Sequence, residues 1–285
     1  MTDMLTVLEI IKKTTEFFAG KGVESPRLQA ELLIGHVLGL KRMQLYLQFE
    51  RPLTDADLDR LRPLVRRRAN REPLQYVLGE TEFHGLRLKV DRRALIPRPE
   101  TELLVVSALA ACTLAPARVL DLGTGSGAIA IAVAKEVGTA AVVAVDASDE
   151  ALALAAENAQ STGCSERITF VKSRWFASVP ADARFELIVS NPPYLSAEET
   201  AATEPEVHAH EPAEALTSAE GGIADLQQIV ADALKFLAPG GLLALETGIA
   251  HHATLTVLAR AAGFARIESR PDLTGRDRFV LAWRD

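Results

Sequence analysis

The chain has 285 residues, 48% of them hydrophobic, and a formal net charge of −7. It carries no apolar run of bilayer length, and Met1 to Lys12 lacks the basic start of a signal peptide, so neither a membrane partner nor export is expected. Charge is uneven: residues 1–92 hold 16 basic against 13 acidic side chains, and residues 93–285 hold 15 against 25. The larger part is therefore a poor surface for duplex phosphate, and no stable nucleic-acid partner is expected. Cys112 and Cys164 have no metal-ligand spacing and read as reduced thiols of a cytoplasmic protein.

Residues 1–75 read as helices. Leu5, Leu8, Ile11 and Phe18 line one face of the first. Ser25-Pro26 reads as an N-cap with proline behind it, opening a helix through Leu28, Leu32 and Val37 to Gly39. A short helix covers Met43 to Phe49. Thr54 with Asp57 caps another, which ends in Arg66-Arg67-Arg68 and Arg71. That basic cluster is either a solvated helix end favoured by the dipole or a docking face for an acidic or RNA-bearing partner. Residues 76–92 switch to a period near two around Gly85 and predict a β-hairpin linker. Leu95 to Glu102 then opens a helix from Leu103 to about Ala111, and Arg98, stiffened by prolines on both sides, is a candidate anion contact.

From residue 117 the pattern alternates. Strands are expected at 118–122, 141–146, 168–171, 185–189, 242–245, 265–269 and 278–283. Helices are expected at 128–137, 151–160, 225–237 and 251–262. Such alternation predicts an α/β fold, doubly wound around a mostly parallel seven-stranded sheet, beside a small all-helical N-terminal domain. The domain limits are 1–75, 76–92 and 93–285.

Two turns carry the chemistry. Gly123-Thr124-Gly125-Ser126-Gly127 joins a strand to a helix and lets the backbone approach a ligand. Asp121 stands before it, and Asp146 ends the second strand, where an acid suits a ribose hydroxyl pair. This combination resembles the loop of S-adenosylmethionine-dependent methyltransferases, with a nicotinamide-dinucleotide site as the competing reading; an acid before the loop suits the donor's ammonium group and repels a pyrophosphate. Behind the run 185–189 comes Asn191-Pro192-Pro193-Tyr194. Two prolines stop strand pairing, Asn191 and the Pro192 carbonyl offer oxygens, and Tyr194 offers an aromatic face. The stretch is either a holder for a planar group with an N–H pair or a proline-stiffened turn. In a doubly wound sheet the two turns meet if their strands are neighbours.

With both motifs in place, the chain resembles the protein-(glutamine-N5) methyltransferases that modify peptide chain release factors. The resemblance runs through Pro73-Leu74-Gln75-Tyr76, Leu95 to Glu102, Asp121 to Gly127, Asn191 to Tyr194 and Gly275-Arg276-Asp277-Arg278. It implies a Rossmann-like methyltransferase domain that uses S-adenosyl-L-methionine, releases S-adenosyl-L-homocysteine and acts on the Gly-Gly-Gln glutamine of class-1 release factors. Asn191, Pro192 and Tyr194 are then the expected catalytic residues, with Pro193 completing the substrate site. Asp121, Gly123, Thr124, Gly125, Ser126, Gly127, Asp146, Trp175 and Asn191 are the expected cofactor contacts. Asn191 Oδ1 and the Pro192 carbonyl would accept the two amide hydrogens, with Tyr194 packed on the amide plane. Trp175 is placed against the adenine, though a core tryptophan is the other reading, and Arg174 stands where the family usually has an acid.

The Asn-Pro-Pro-Tyr motif also serves enzymes that methylate amino groups of adenine or guanine in DNA or RNA, which is the alternative function. Glu246 is either a residue at the edge of the site or a strand-end acid. Residues 196–221, with seven Glu and no Lys or Arg, read as a solvated loop rather than a lid over the substrate. His208 and His210 lack the partners of a metal site, and no metal is expected.

Overall fold

Thr6 opens the first described helix, α1 (Val7–Ala19), by a capping box with Glu9: the Thr6 side chain accepts from the Glu9 amide, and the Glu9 carboxylate accepts from the Thr6 amide. The computed structural model describes residues 5–285; residues 1–4, with which the expected helical domain begins, lie outside the described residues. Helices α2 (Pro26–Leu38), α3 (Arg42–Tyr46), α4 (Asp55–Ala69) and α5 (Leu74–Leu78) follow. Together with Glu204–His210 from far along the chain, they form one compact unit.

Phe18, Leu33, Ile34, Leu45 and Leu53 fill the core of this unit. The inward face of α2 is Ala30, Leu33, Ile34 and Val37, and Leu28 is 38% exposed. Ser25 is in the left-handed region (φ 46°) and makes no side-chain cap, which corrects its predicted role. Proline at the first helical position needs no donor bond, so α2 starts without one. Thr54 and Asp57 do form the expected cap.

The basic end of α4 is neither a solvated helix end nor an open docking face, apart from the exposed Arg66. Arg67 forks onto both oxygens of Glu72. Arg68 is 2% exposed and donates to Glu206 Oε1 at 2.5 Å, to Gln29 and to the Glu72 carbonyl. Arg71 donates to both Glu206 oxygens at 2.6 and 2.7 Å. The two guanidiniums hold the Glu206 carboxyl down to about 2 against the desolvation that opposes them. Its stabilising contribution is complete above the unfolded value of 4.5 and is lost as pH falls through about 2. Glu206→Ala leaves Arg68 buried beside a second cation. Urea unfolding at neutral pH is expected to show a loss of about 3 kcal/mol, since removing one partner of a buried pair is the costly change.

The second unit comprises Glu80–Thr203 and Glu211–Asp285. It starts with the hairpin of β1 (Glu80–Phe83) and β2 (Leu86–Lys89), paired antiparallel. Val77, read as part of this hairpin, belongs instead to α5. Helix α6 (Pro99–Ala111) begins four residues earlier than expected because Pro99 supplies a fixed φ at the first position.

The sheet is then built from β3 (Arg118–Leu122), β4 (Ala141–Asp146), β5 (Ile168–Lys172) and β6 (Phe185–Ser190), with α7 (Ala128–Glu136) and α8 (Asp149–Thr162) as crossovers. After β6 come the short helices α9 (Ala197–Ala201), α10 (Pro205–His208) and α11 (Ala219–Gly222), then α12 (Ala224–Ala233). The chain finishes with β7 (Leu237–Glu246), α13 (His252–Ala262), β8 (Arg266–Pro271) and β9 (Asp277–Trp283). Helix α12 stops before Leu237, which pairs with Phe185 as the start of β7.

Strand order is β5-β4-β3-β6-β7-β9-β8. The five strands from β5 to β7 are parallel to their neighbours, and β9 is antiparallel to both β7 and β8. This is the doubly wound, mostly parallel seven-stranded sheet expected from the sequence. One apolar layer, including Leu104, Ile131, Val133 and Leu281, covers one face of it. A second, including Leu122, Leu226, Ile229 and Leu255, covers the other. The order reverses between β3 and β6, which are hydrogen-bonded neighbours. A ligand crevice belongs outside their carboxyl ends.

Candidate active site

Both chemical turns leave the sheet at that reversal. The loop 123–127 follows β3, and Asn191-Pro192-Pro193-Tyr194 follows β6. Between them lies a cavity of about 600 Å³, within the size range of small-molecule and cofactor sites. Gly123, Thr124, Gly125, Ser126, Asp146, Trp175, Asn191 and Pro193 line it. Asp121, Gly127, Pro192 and Tyr194 do not, and each has a structural reason.

Asp121 is fully buried beneath the loop, where its Oδ2 accepts from Thr124 Oγ1 at 2.7 Å and from the Ala130 amide at 3.1 Å. It therefore ties the loop to the first turn of α7 from below and is not a wall residue. Its Oδ1 is buried with no partner, and burial, with the Asp146 charge adding, pushes the carboxyl up to about 7. Gly127 (φ 81°) lies against α8: a Cβ there would sit 3.0 Å from Ala155 Cβ and 3.2 Å from its Cα. Pro192 is buried. Tyr194 is drawn behind the wall, its phenol donating to Glu246 Oε1 at 3.1 Å, and desolvation holds that phenol above its usual range.

The loop itself is shaped for close approach. Gly123 and Gly125 have φ of 71° and 55°, and a Cβ on Gly123 would meet the Trp175 ring at 3.4 Å. Asp146 at the tip of β4 accepts from the Gly125 and Ser148 amides, both at 2.9 Å, so it fixes the loop as well as lining the cavity. Trp175 is 9% exposed and has φ 48°, a strained value for a bulky residue that places its indole over the loop. It belongs to the core, as one reading of it had it, and it also lines the cavity.

Arg174 lines the cavity with a largely exposed side chain. A carboxylate does stand beside Trp175, but it is Asp225 of α12, which accepts from Trp175 Nε1 at 3.0 Å and from Ser218 Oγ at 2.6 Å. Sequence reasoning passed over Asp225 because 50 residues separate it from the tryptophan.

Arg98 does contact an anion, and the anion is intramolecular: Nη2 donates to Glu211 Oε1 at 2.6 Å, while Glu211 Oε2 accepts from the Ile96 amide. The acidic segment 196–221 is thus not a solvated loop throughout. Glu206 and Glu211 are both spent on arginines, and Leu195 pairs with Thr217 as the segment folds back on itself. Thr101 was also missed. It lies 4% exposed in the first turn of α6, where it meets Asn191 and Glu246.

A doubly wound sheet with a glycine loop and an Asn-Pro-Pro-Tyr exit facing one cavity defines a methyltransferase. The description "Methyltransferase small domain" matches residues 100–222, and "PrmC N-terminal domain" matches residues 9–79. The release factor glutamine methyltransferase of Geobacter sulfurreducens is 42% identical over 98% of this chain and 96% of its own length. That of Chlorobaculum tepidum is 47% identical over 85% of each. The chain belongs to the release factor glutamine methyltransferase family.

Among solved structures, the human Mettl16 catalytic domain superposes with a TM-score of 0.60 at 19% identity, over 78% of this chain and 81% of that one. A Thermus thermophilus 16S rRNA N2 G1207 methyltransferase, solved with AdoMet and guanosine, gives 0.53 at 18% identity, over 72% of this chain and 50% of that one. At these identities the likeness is one of Rossmann-like fold. No described helix is long and apolar enough to cross a membrane.

Proposed function

We propose that this protein transfers the methyl group of S-adenosyl-L-methionine to the side-chain amide nitrogen of the Gly-Gly-Gln glutamine in class-1 peptide chain release factors, in the cytoplasm. The observation that carries the reading is the meeting of Asn191 and the glycine loop in one cavity, at neighbouring strands, in a chain whose relatives bear that activity in their name. The helical domain, expected over residues 1–75, would dock the release factor. Residues 76–92 would link it to the methyltransferase domain at 93–285.

The cavity fits the methyl donor on three counts. A Cβ-free loop surface lies under the Trp175 indole, Asp146 offers a carboxylate at the second strand tip, and the volume suits a nucleoside with a short chain. Gly123, Thr124, Gly125, Ser126, Asp146 and Trp175 would hold it, while Asp121 and Gly127 would keep the loop in shape. Bound there, the donor supplies an electrophilic methyl on a sulfonium.

The residues of the chain do the rest. A carboxamide nitrogen is a weak nucleophile because its lone pair is shared with the carbonyl. Asn191 Oδ1 and the Pro192 carbonyl would accept its two hydrogens, hold the nitrogen in line and favour the positive charge that develops on it. The methylated nitrogen then loses its proton to water. Tyr194 would act from behind the wall through Glu246 rather than by stacking.

The test is methyl transfer from labelled donor to three acceptors side by side: a release factor, its Gly-Gly-Ala variant, and ribosomal RNA with single-stranded DNA. Label on the unaltered factor alone is expected. Label on nucleic acid would overturn the substrate in favour of amino-group methylation of bases.

A further inference from the structure

Behind the Asn191 side chain runs a chain of hydrogen bonds through Thr101 and Glu246 to Tyr194. Asn191 Nδ2 donates to Thr101 Oγ1 at 3.0 Å. Thr101 Oγ1 donates to Glu246 Oε2 at 2.7 Å, and the Tyr194 hydroxyl donates to Glu246 Oε1 at 3.1 Å. Glu246 is 1% exposed at the end of β7, and Thr101 comes from the first turn of α6. Three separate elements therefore converge on one carboxylate.

We propose that Thr101 and Glu246 are positioning residues: the carboxylate sets the polarity of this chain and so turns the Asn191 carboxamide with its oxygen toward the acceptor. This rests on the function proposed above. An ionised carboxylate only accepts, so both hydroxyls must give it their hydrogens. Thr101 has one hydrogen, and with that spent on Glu246 its oxygen is left to receive an N–H. Asn191 can supply one only by facing its nitrogen to Thr101, which leaves Oδ1 pointing elsewhere. Among the described residues Oδ1 has no hydrogen-bond partner. A reversed amide would present N–H to the acceptor's own N–H and repel it.

Polarity of this kind is sensitive to protonation. A protonated Glu246 has a hydrogen to donate, and if Thr101 receives it, the threonine hydrogen must turn to Asn191 and demand the amide oxygen. The groups facing Glu246 are Thr101 and Glu100 of α6, Tyr194, and Arg278 of β9, whose guanidinium stands 5.9 Å from the Tyr194 ring centre. Burial is the largest influence and raises the Glu246 carboxyl above its ordinary range, Glu100 adds to it, and Thr101, Tyr194 and Arg278 oppose it. The oriented state is then lost as pH falls through that raised value.

Three variants test this: Thr101→Val, Thr101→Ser and Glu246→Gln. Thr101→Val is expected to lower kcat on the order of 10- to 100-fold, because a misplaced reacting group costs that much, while donor affinity by calorimetry and KM for the release factor stay within about twofold. Thr101→Ser should restore most of the rate. The wild-type rate should fall on the acid side above the ordinary carboxylate range, and Glu246→Gln should lack that limb. A parallel readout needs no acceptor: the side-chain amide resonances of Asn191 should shift as Glu246 titrates and should not do so in Thr101→Val.

Equal losses in the valine and serine variants, a donor affinity that falls with the rate, or Asn191 resonances indifferent to both changes would overturn the proposal. If release factors are not methylated even by the wild type, the functional reading fails, and the resonance measurement still decides this one.

Discussion

Asn191→Ala is expected to bind S-adenosyl-L-homocysteine nearly as well as the wild type and to transfer methyl on the order of 10²- to 10³-fold more slowly, the loss typical of removing one preorganised group that stabilises developing charge. The residue sits where the exit of β6 meets the cavity, and its side-chain amide donates to Thr101. The glycine loop has its own ties, to Asp121 through Thr124 and to Asp146 through Gly125. Single-turnover rates set against calorimetric affinities separate the two effects. A parallel fall in both would make Asn191 a cofactor ligand or part of the scaffold instead.

Gly222→Ala should be the most damaging single methyl group added near the site. Gly222 has φ 92°, and a Cβ there would sit 2.4 Å from the Tyr194 carbonyl oxygen and 2.9 Å from its carbon. Both are backbone atoms of the motif itself, and they cannot swing aside as a side chain could. The dihedral alone costs about 1–3 kcal/mol for a residue with a Cβ, and relief of the clash must displace the Tyr194–Leu195 segment.

That segment is held by bonds from the Leu195 amide to the Leu216 carbonyl and from the Ser218 amide to the Leu195 carbonyl. Hydrogen exchange should therefore show faster exchange at Leu195 and Ser218, with the β3 and β6 amides still protected and methyl transfer largely lost. Gly221→Ala is the control. It too has a positive φ, 71°, but its Cβ would meet nothing within 4 Å, so the difference between the two variants isolates the clash.

The sheet was legible because its inner strands are short branched runs buried on both faces, such as Val119-Leu120 and Leu187-Ile188-Val189, each followed by a turn with its own chemistry. The adjacency of β3 and β6 was the single condition on which the site depended, and a doubly wound order satisfies it. What the chain concealed were pairings across long separations. Arg68 and Glu206 lie 138 residues apart, Arg98 and Glu211 113, and Thr101 and Glu246 145. A charge has no periodicity that announces its partner, so each looked like a solvated helix end, a loop or a strand-end acid. Asp121 was concealed for a different reason. Sequence shows that an acid nearly ends the strand, but only packing shows that its side chain turns under the loop instead of into the cavity.

The membership of Glu204–His210 in the helical unit, with both of its flanks in the other, bears on how this protein could be divided or recombined. A fragment ending at Gly79 would omit the carboxylate that Arg68 and Arg71 share, leaving a buried guanidinium without its counterion. Grafting the helices onto another catalytic domain would fail for the same reason unless the host loop carried an acid to the same place. The helical unit is thus not a detachable cassette. Its boundary is written in two places, so exchange of this unit between relatives requires coordinated change at α4 and within the loop that follows the Asn-Pro-Pro-Tyr exit.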